Sequence, residues 1–127
     1  MNTQILVIED DRFNRQLYQD LLQSEGWSVV LAASAGEGLA AARRVPPALV
    51  VMDLELPDVD GIKATRVLRA DAKTAKVPVL VVSAHAQQGQ EARVREAGAT
   101  AFLPKPLVFS EFLAVVRSLV ATTPHKM

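Results

Sequence analysis

Glu9, Asp10 and Asp11 stand together directly after the apolar run Ile5-Leu6-Val7-Ile8. Asp53 ends a second such run, Ala48 to Met52, and Ser83 ends a third, Val77 to Val82. Lys105 follows the short run Ala101-Phe102-Leu103 with only Pro104 between. Carboxylates gathered in one place repel: two unit charges about 5 Å apart cost roughly 3 kcal/mol at an effective dielectric near 20. Lys105 supplies one compensating charge, and a divalent cation is the other natural answer. An all-oxygen donor set favours Mg²⁺, Mn²⁺ or Ca²⁺ over zinc, and Mg²⁺ suits one or two carboxylates beside a phosphate oxygen. A carboxylate beside Mg²⁺, a hydroxyl and a lysine is a phosphoryl-transfer site. The carboxylate acts as nucleophile and becomes an aspartyl phosphate, while cation, lysine and hydroxyl offset charge on the phosphoryl oxygens. Asp53 is the nucleophile candidate, because it ends a central strand just before the turn-rich Leu56-Pro57-Asp58-Val59-Asp60-Gly61.

That chemistry requires elements that bring four distant segments together. The apolar runs alternate with amphipathic ones: Phe13, Leu17 and Leu21 recur at helical spacing with Tyr18 and Leu22 beside them, and Gly26 closes that helix. Trp27 to Leu31 reads as a strand, and Ser34 caps a helix over Ala35 to Arg44 that Pro46-Pro47 stops. Helices follow over Ile62 to Arg69 and Gln88 to Ala97, the latter closed by Gly98. Phe109, Phe112, Leu113, Val116, Leu119 and Val120 mark a fifth. Five strand–helix units predict an α/β fold, a doubly wound five-stranded parallel sheet with helices on both faces. Runs such as Leu49-Val50-Val51 lack alternation, as strands covered on both sides do. Right-handed crossovers place every strand's carboxyl end on one edge. In the flavodoxin-like order 2-1-3-4-5, a general rule puts ligands beside the first and third strands, where Asp10 and Asp53 meet.

The chain has 127 residues, which suits one domain, taken as 1–122 with a short tail over 123–127. Half of the residues are hydrophobic, which excludes a disordered chain. Fourteen Lys and Arg balance fourteen Asp and Glu, so composition offers no electrostatic case for binding nucleic acid or an anionic membrane. Absent cysteine excludes disulfides, thiolate catalysis and cysteine metal sites, and two histidines are too few for most all-histidine ones. The start lacks a basic segment and no long uncharged apolar stretch occurs, so a cytoplasmic protein without leader or membrane span is expected. Single residues read more plainly. Asp11 caps the first helix, Asp58 and Asp60 serve the turn before Gly61, and Phe109 and Phe112 fill core. His85 lies at the surface near the site, and His125 in the tail. Gly36-Glu37-Gly38 lacks the third glycine of a dinucleotide loop.

Taken in order, Ile5 to Asp11, Val51 to Pro57, Asp60-Gly61, Val81 to Ala84, Gly98-Ala99 and Leu103-Pro104-Lys105-Pro106 closely resemble the receiver domain of bacterial two-component response regulators. The resemblance covers nearly the whole chain. It implies that Asp53 takes a phosphoryl group from the phosphohistidine of a sensor histidine kinase or histidine phosphotransfer protein. It implies Mg²⁺, with Mn²⁺ as a substitute, held by Asp10 and Asp53, by the backbone carbonyl of Glu55, and by Glu9 through water. Ser83 would be the switch hydroxyl, Lys105 the phosphoryl contact and Phe102 the switch aromatic that turns inward when the hydroxyl moves. Glu55 and His85 occupy positions that tune the phosphoryl lifetime, and the bond before Pro106 is often cis in this family. Glu9 replaces the commoner Asp, Ser83 replaces Thr, and Phe102 replaces Tyr, which removes a phenolic hydrogen bond from the switch.

The expected output is a change in protein–protein contacts on the surface of the fourth helix, fifth strand and fifth helix, by a monomer or a phosphorylation-dependent dimer with no direct nucleic-acid or membrane role. A phosphorylation-independent pseudo-receiver is the alternative on the same fold. An aspartate-nucleophile phosphatase usually carries a second Asp two positions after the nucleophile, where this chain has Glu55. A flavin binder would need a phosphate loop after the first strand, where this chain has acids.

Overall fold

The computed structural model describes residues 3–85 and 89–121. Ten elements alternate: β1 (Gln4–Ile8), α1 (Arg12–Ser24), β2 (Ser28–Ala32), α2 (Ala35–Arg44), β3 (Leu49–Asp53), α3 (Gly61–Ala70), β4 (Val79–Ser83), α4 (Gln90–Glu96), β5 (Ala101–Pro104) and α5 (Phe109–Ala121). All strand pairs are parallel, in the order β2-β1-β3-β4-β5. The predicted sheet and its order are therefore observed. Gln88, the expected start of the fourth helix, and the tail 123–127 lie outside the described residues.

Local chemistry sets the helix ends. The Asp11 carboxylate accepts from the Asn14 amide at 2.9 Å and caps α1. Ser34 caps α2 by accepting from Glu37, and Asp60 caps α3 by accepting from Lys63. Gly26 follows α1 at φ +93°, a conformation that side-chain-bearing residues rarely adopt.

β3 and β4 are buried throughout, and their side chains divide between two cores. Leu6, Ile8, Val50, Met52 and Val81 meet α2, α3 and α4 through Ala42, Leu68 and Val94. Ile5, Val7, Val51, Leu80 and Val82 meet α1 and α5 through Tyr18, Leu22, Phe112 and Val116. Tyr18 and Phe112 stack tilted at 5.5 Å across the α1–α5 contact. Two covered faces explain the unbroken apolar runs.

The apolar residues of α1 divide between a buried side and an exposed one. α1 buries Tyr18 and Leu22, while Phe13 is 83% exposed and Leu17 38%. Phe13, Leu17 and Leu21 do share a helix side, but it lies about 100° round from Tyr18 and Leu22, which point at the sheet. Phe112 is core as expected, whereas Phe109 is 46% exposed at the first turn of α5. Phe13, Leu17 and Phe109 thus leave an apolar surface beside the carboxyl edge of the sheet.

Candidate functional site

The ladder extends past the strand ends and fixes the loops that bear the polar residues. The Glu9 amide donates to Ala32 at 3.0 Å, the Leu54 amide to Val82 at 2.9 Å, and the Lys105 amide to Ser83 at 2.8 Å. α1 and α3, which follow β1 and β3, cover opposite faces of the sheet, so the chain diverges there and leaves a crevice at the carboxyl ends of those strands. Carboxylate oxygens of Glu9, Asp10 and Asp53 lie there within 4.8 Å of one another. Glu9 and Asp53 are buried and Asp10 is exposed.

Lys105 bridges the buried pair from β5. Its Nζ donates to Asp53 Oδ2 at 3.2 Å and to Glu9 Oε1 at 3.4 Å. The other Glu9 oxygen accepts from the Asp11 amide, and the other Asp53 oxygen from the Glu55 amide, both at 3.0 Å. The Lys105–Pro106 peptide bond is cis. Burial pushes the Glu9 carboxyl up to about 7, against the Asp11 amide and with help from the Asp53 charge. Burial raises Asp53 as well, against the Glu55 amide and Lys105. Burial works against charge on Lys105, but the two carboxylates outweigh it and hold the ammonium above its ordinary value.

The crevice brings Glu9, Asp10, Asp53, Ser83 and Lys105 to one edge, where the hydroxyl donates to a neighbouring carboxylate. Ser83 Oγ donates to Glu55 Oε2 at 2.7 Å, and the Ala84 amide donates to Glu55 Oε1 at 3.3 Å. Those bonds take the Glu55 carboxyl below its ordinary value although burial pulls it up. His85 is exposed, and its Nδ1 lies 3.7 Å from Glu55 Oε2. Phe102 is 9% exposed and packs into the α2–α4 core, so the aromatic is inward while the hydroxyl rests on Glu55.

Three contributors escape a reading of the sequence. Arg15 Nη1 donates to the carbonyls of Glu9 and Asp10 at 2.9 and 2.8 Å and pins the acidic loop to α1. Asp58 serves more than its own turn, where it bonds the Asp58 and Val59 backbone. Its two oxygens accept from the Ala35 and Gly36 amides at 3.0 and 2.9 Å, tying the loop after Asp53 to the start of α2. Gly61 lets α3 approach, since a Cβ there would stand 2.9 Å from Leu54 Cα. Only Gly61 carried a signal, as a glycine directly after a capping Asp.

The donor set suits a hard divalent cation: oxygens only, two of the three carboxyls buried, and a single lysine against three acids. Comparison with known proteins points the same way. The response regulator receiver domain family matches residues 5–117. The polar-differentiation response regulator DivK of Brucella ovis is 33% identical over 118 residues, 93% of this chain and 96% of its own. The receiver domain of a sensor histidine kinase from Pseudomonas aeruginosa, solved with a magnesium ion coordinated in its active-site cleft, superposes with a TM-score of 0.88 at 30% identity, covering 96% of this chain and all of that one. The non-phosphorylated HemR receiver domain of Leptospira biflexa gives 0.87 at 30% identity, over 98% of this chain and all of that one. Relatives that align along nearly their whole length leave a single assignment: this chain belongs to the response regulator receiver domain family, as a signalling phosphoacceptor rather than a metabolic enzyme.

Proposed function

We propose that Asp53 accepts a phosphoryl group from a phosphohistidine donor with Mg²⁺ bound, and that the charge it gains switches protein–protein contacts. The observation that carries this is the buried Asp53 carboxylate within reach of Glu9, Asp10 and Lys105. One Asp53 oxygen attacks phosphorus, the bond to the donor's imidazole nitrogen breaks, and the electron pair leaves with the imidazole. The Glu55 amide and the Lys105 ammonium hold Asp53 in place. Lys105 and Ser83 then lie at the edge where the phosphoryl oxygens arrive. Asp10, Asp53, the Glu55 carbonyl and Glu9 through water would hold Mg²⁺, or Mn²⁺ in its place. Bound there, the cation offsets negative charge on the transferring group.

A sensor histidine kinase or histidine phosphotransfer protein is the donor in this reading. Leu17, Lys105, Pro106, Leu107 and Phe109 line a groove of about 300 Å³ that opens beside Lys105. A protein that brings a phosphohistidine to Asp53 must cover this groove, and its apolar rim fits a protein surface. The output partner engages the face of α4, β5 and α5, to which Ser83 and Phe102 connect. The reading includes a cytoplasmic location, where ATP-dependent kinases phosphorylate their histidines. Among the described residues no helix is long and apolar enough to cross a membrane.

The test is intact mass after incubation with acetyl phosphate and Mg²⁺. The expected result is a gain of one phosphoryl group, absent from Asp53→Asn and from a chelated sample. No gain, together with no binding of beryllofluoride and Mg²⁺, would replace this reading with a phosphorylation-independent interaction module.

A further inference from the structure

We infer that the Glu55 side chain is a latch on the Ser83 hydroxyl, so that phosphoryl acceptance is an exchange of acceptors rather than the filling of a ready site. The inference rests on the phosphoacceptor reading above and adds a positioning residue to it. Ser83 Oγ donates to Glu55 Oε2 at 2.7 Å, within the range of a short hydroxyl–carboxylate bond. The hydroxyl is braced from the other side, because the His85 amide donates to it at 3.0 Å. Glu55 is held in turn by the Ala84 amide at 3.3 Å.

A serine hydroxyl has one proton to donate. While Glu55 takes it, no phosphoryl oxygen on Asp53 can. The two acceptors also exclude each other by charge, since a carboxylate beside a phosphoryl dianion is repelled. Ser83 is fully buried, whereas the Glu55 side chain is 36% exposed. Glu55 is therefore the partner that can leave, because its carboxylate regains water when it swings out. The Glu55 amide meanwhile keeps its bond to Asp53 Oδ1 at 3.0 Å. One residue thus touches the nucleophile through its backbone and restrains the switch through its side chain.

The test is a double-mutant cycle on beryllofluoride affinity in Mg²⁺, with wild type, Glu55→Gln, Ser83→Ala and the double variant. Glutamine keeps the shape and removes the charge. Loss of charge repulsion acts whether or not the hydroxyl is present, while release of the latch acts only when it is. The expected result is that Glu55→Gln tightens binding about tenfold more in the Ser83 background than in the Ser83→Ala background. Amide hydrogen exchange without ligand gives an independent reading. Glu55→Ala should speed exchange at Ala84 and His85 and leave the β3 amides unchanged. Equal gains in the two backgrounds, or unchanged exchange at Ala84 and His85, would overturn the latch and leave the phosphoacceptor reading standing. Failure of wild type to bind beryllofluoride with Mg²⁺ would overturn both.

Discussion

Lys105 sits between two buried carboxylates and contacts both, which makes it the residue whose loss the site tolerates least. Lys105→Met leaves Glu9 and Asp53 facing each other without that cation. It also removes a donor from the transferring phosphoryl oxygens, a kind of loss that costs about 10²-fold in rate. Phosphorylation by acetyl phosphate, followed by intact mass against time, should slow by about that factor. Glu9 gives a pH signature. Its carboxyl ordinarily titrates near 4.5 and is pushed up to about 7 in the fold. Between those values the folded protein keeps a proton that the unfolded chain has lost. The stability this group contributes is complete below about pH 4.5 and disappears as pH rises through about 7, a change on the order of 3 kcal/mol. Asp53 is raised and acts with the same sign, while Lys105 is raised from an already high value and contributes nothing in this window. Urea unfolding in chelator should therefore show midpoints that fall from pH 5 to pH 7.5, and Glu9→Gln should flatten most of that slope. Asp10, Asp53 and Lys105 were legible because each follows an apolar run and so must lie at the end of a strand. Asp58, Arg15 and the Glu55–Ser83 bond were not, because their partners are supplied by packing between segments that are unrelated in sequence.

The loop from Asp53 to α3 depends on how closely that helix approaches the strand. A Cβ at Gly61 would lie 2.9 Å from Leu54 Cα and 3.2 Å from the Asp53 carbonyl, both of them backbone atoms that cannot swing aside. Gly61→Ala should destabilise the fold by about 1–3 kcal/mol, read from urea midpoints at constant slope, and should slow phosphorylation because the displaced atoms adjoin Asp53. The element order and the helix caps at Asp11 and Ser34 could be read from periodicity and cap chemistry. The buried side of α1 could not, since apolar residues occupy two of its sides and only the sheet decides between them. Phe102 carries a related lesson. A residue that resemblance assigns to a moving switch is already buried against the α2–α4 core in the protein at rest. Ser83, by contrast, makes a hydrogen bond to a partly exposed side chain, Glu55.

At the scale of the molecule, the proposed function asks two things of the sheet's carboxyl edge: chemistry in the crevice, and recognition on the apolar surface of α1 and the start of α5. A small phosphodonor needs only the first, whereas a protein donor needs both. Phe13→Ser alters an exposed position and should change stability by less than about 0.5 kcal/mol, whereas Phe109→Ser removes a half-buried ring and should cost about 1 kcal/mol. Each should slow transfer from a phosphorylated histidine phosphotransfer protein several-fold and leave the rate with acetyl phosphate unchanged. An equal loss with both donors would place these residues in the site rather than in docking. The parallel sheet was legible from five alternating strand–helix units, while its strand order came from the known flavodoxin-like pattern rather than from spacing. The exposed apolar surface was not, because Phe13, Leu17 and Phe109 look like core until the fold shows which sides are taken. The central claim concerns one bond, between Asp53 and phosphorus, and the most direct measurement traps it. Protein phosphorylated in Mg²⁺ is treated with borohydride, which reduces an acyl phosphate to the alcohol, and is then sequenced by tandem mass spectrometry. The account predicts homoserine at position 53 and at no other position. Reduction at Asp10 or Glu9 instead, or a phosphoryl group on Ser83 that survives hydroxylamine, would contradict it.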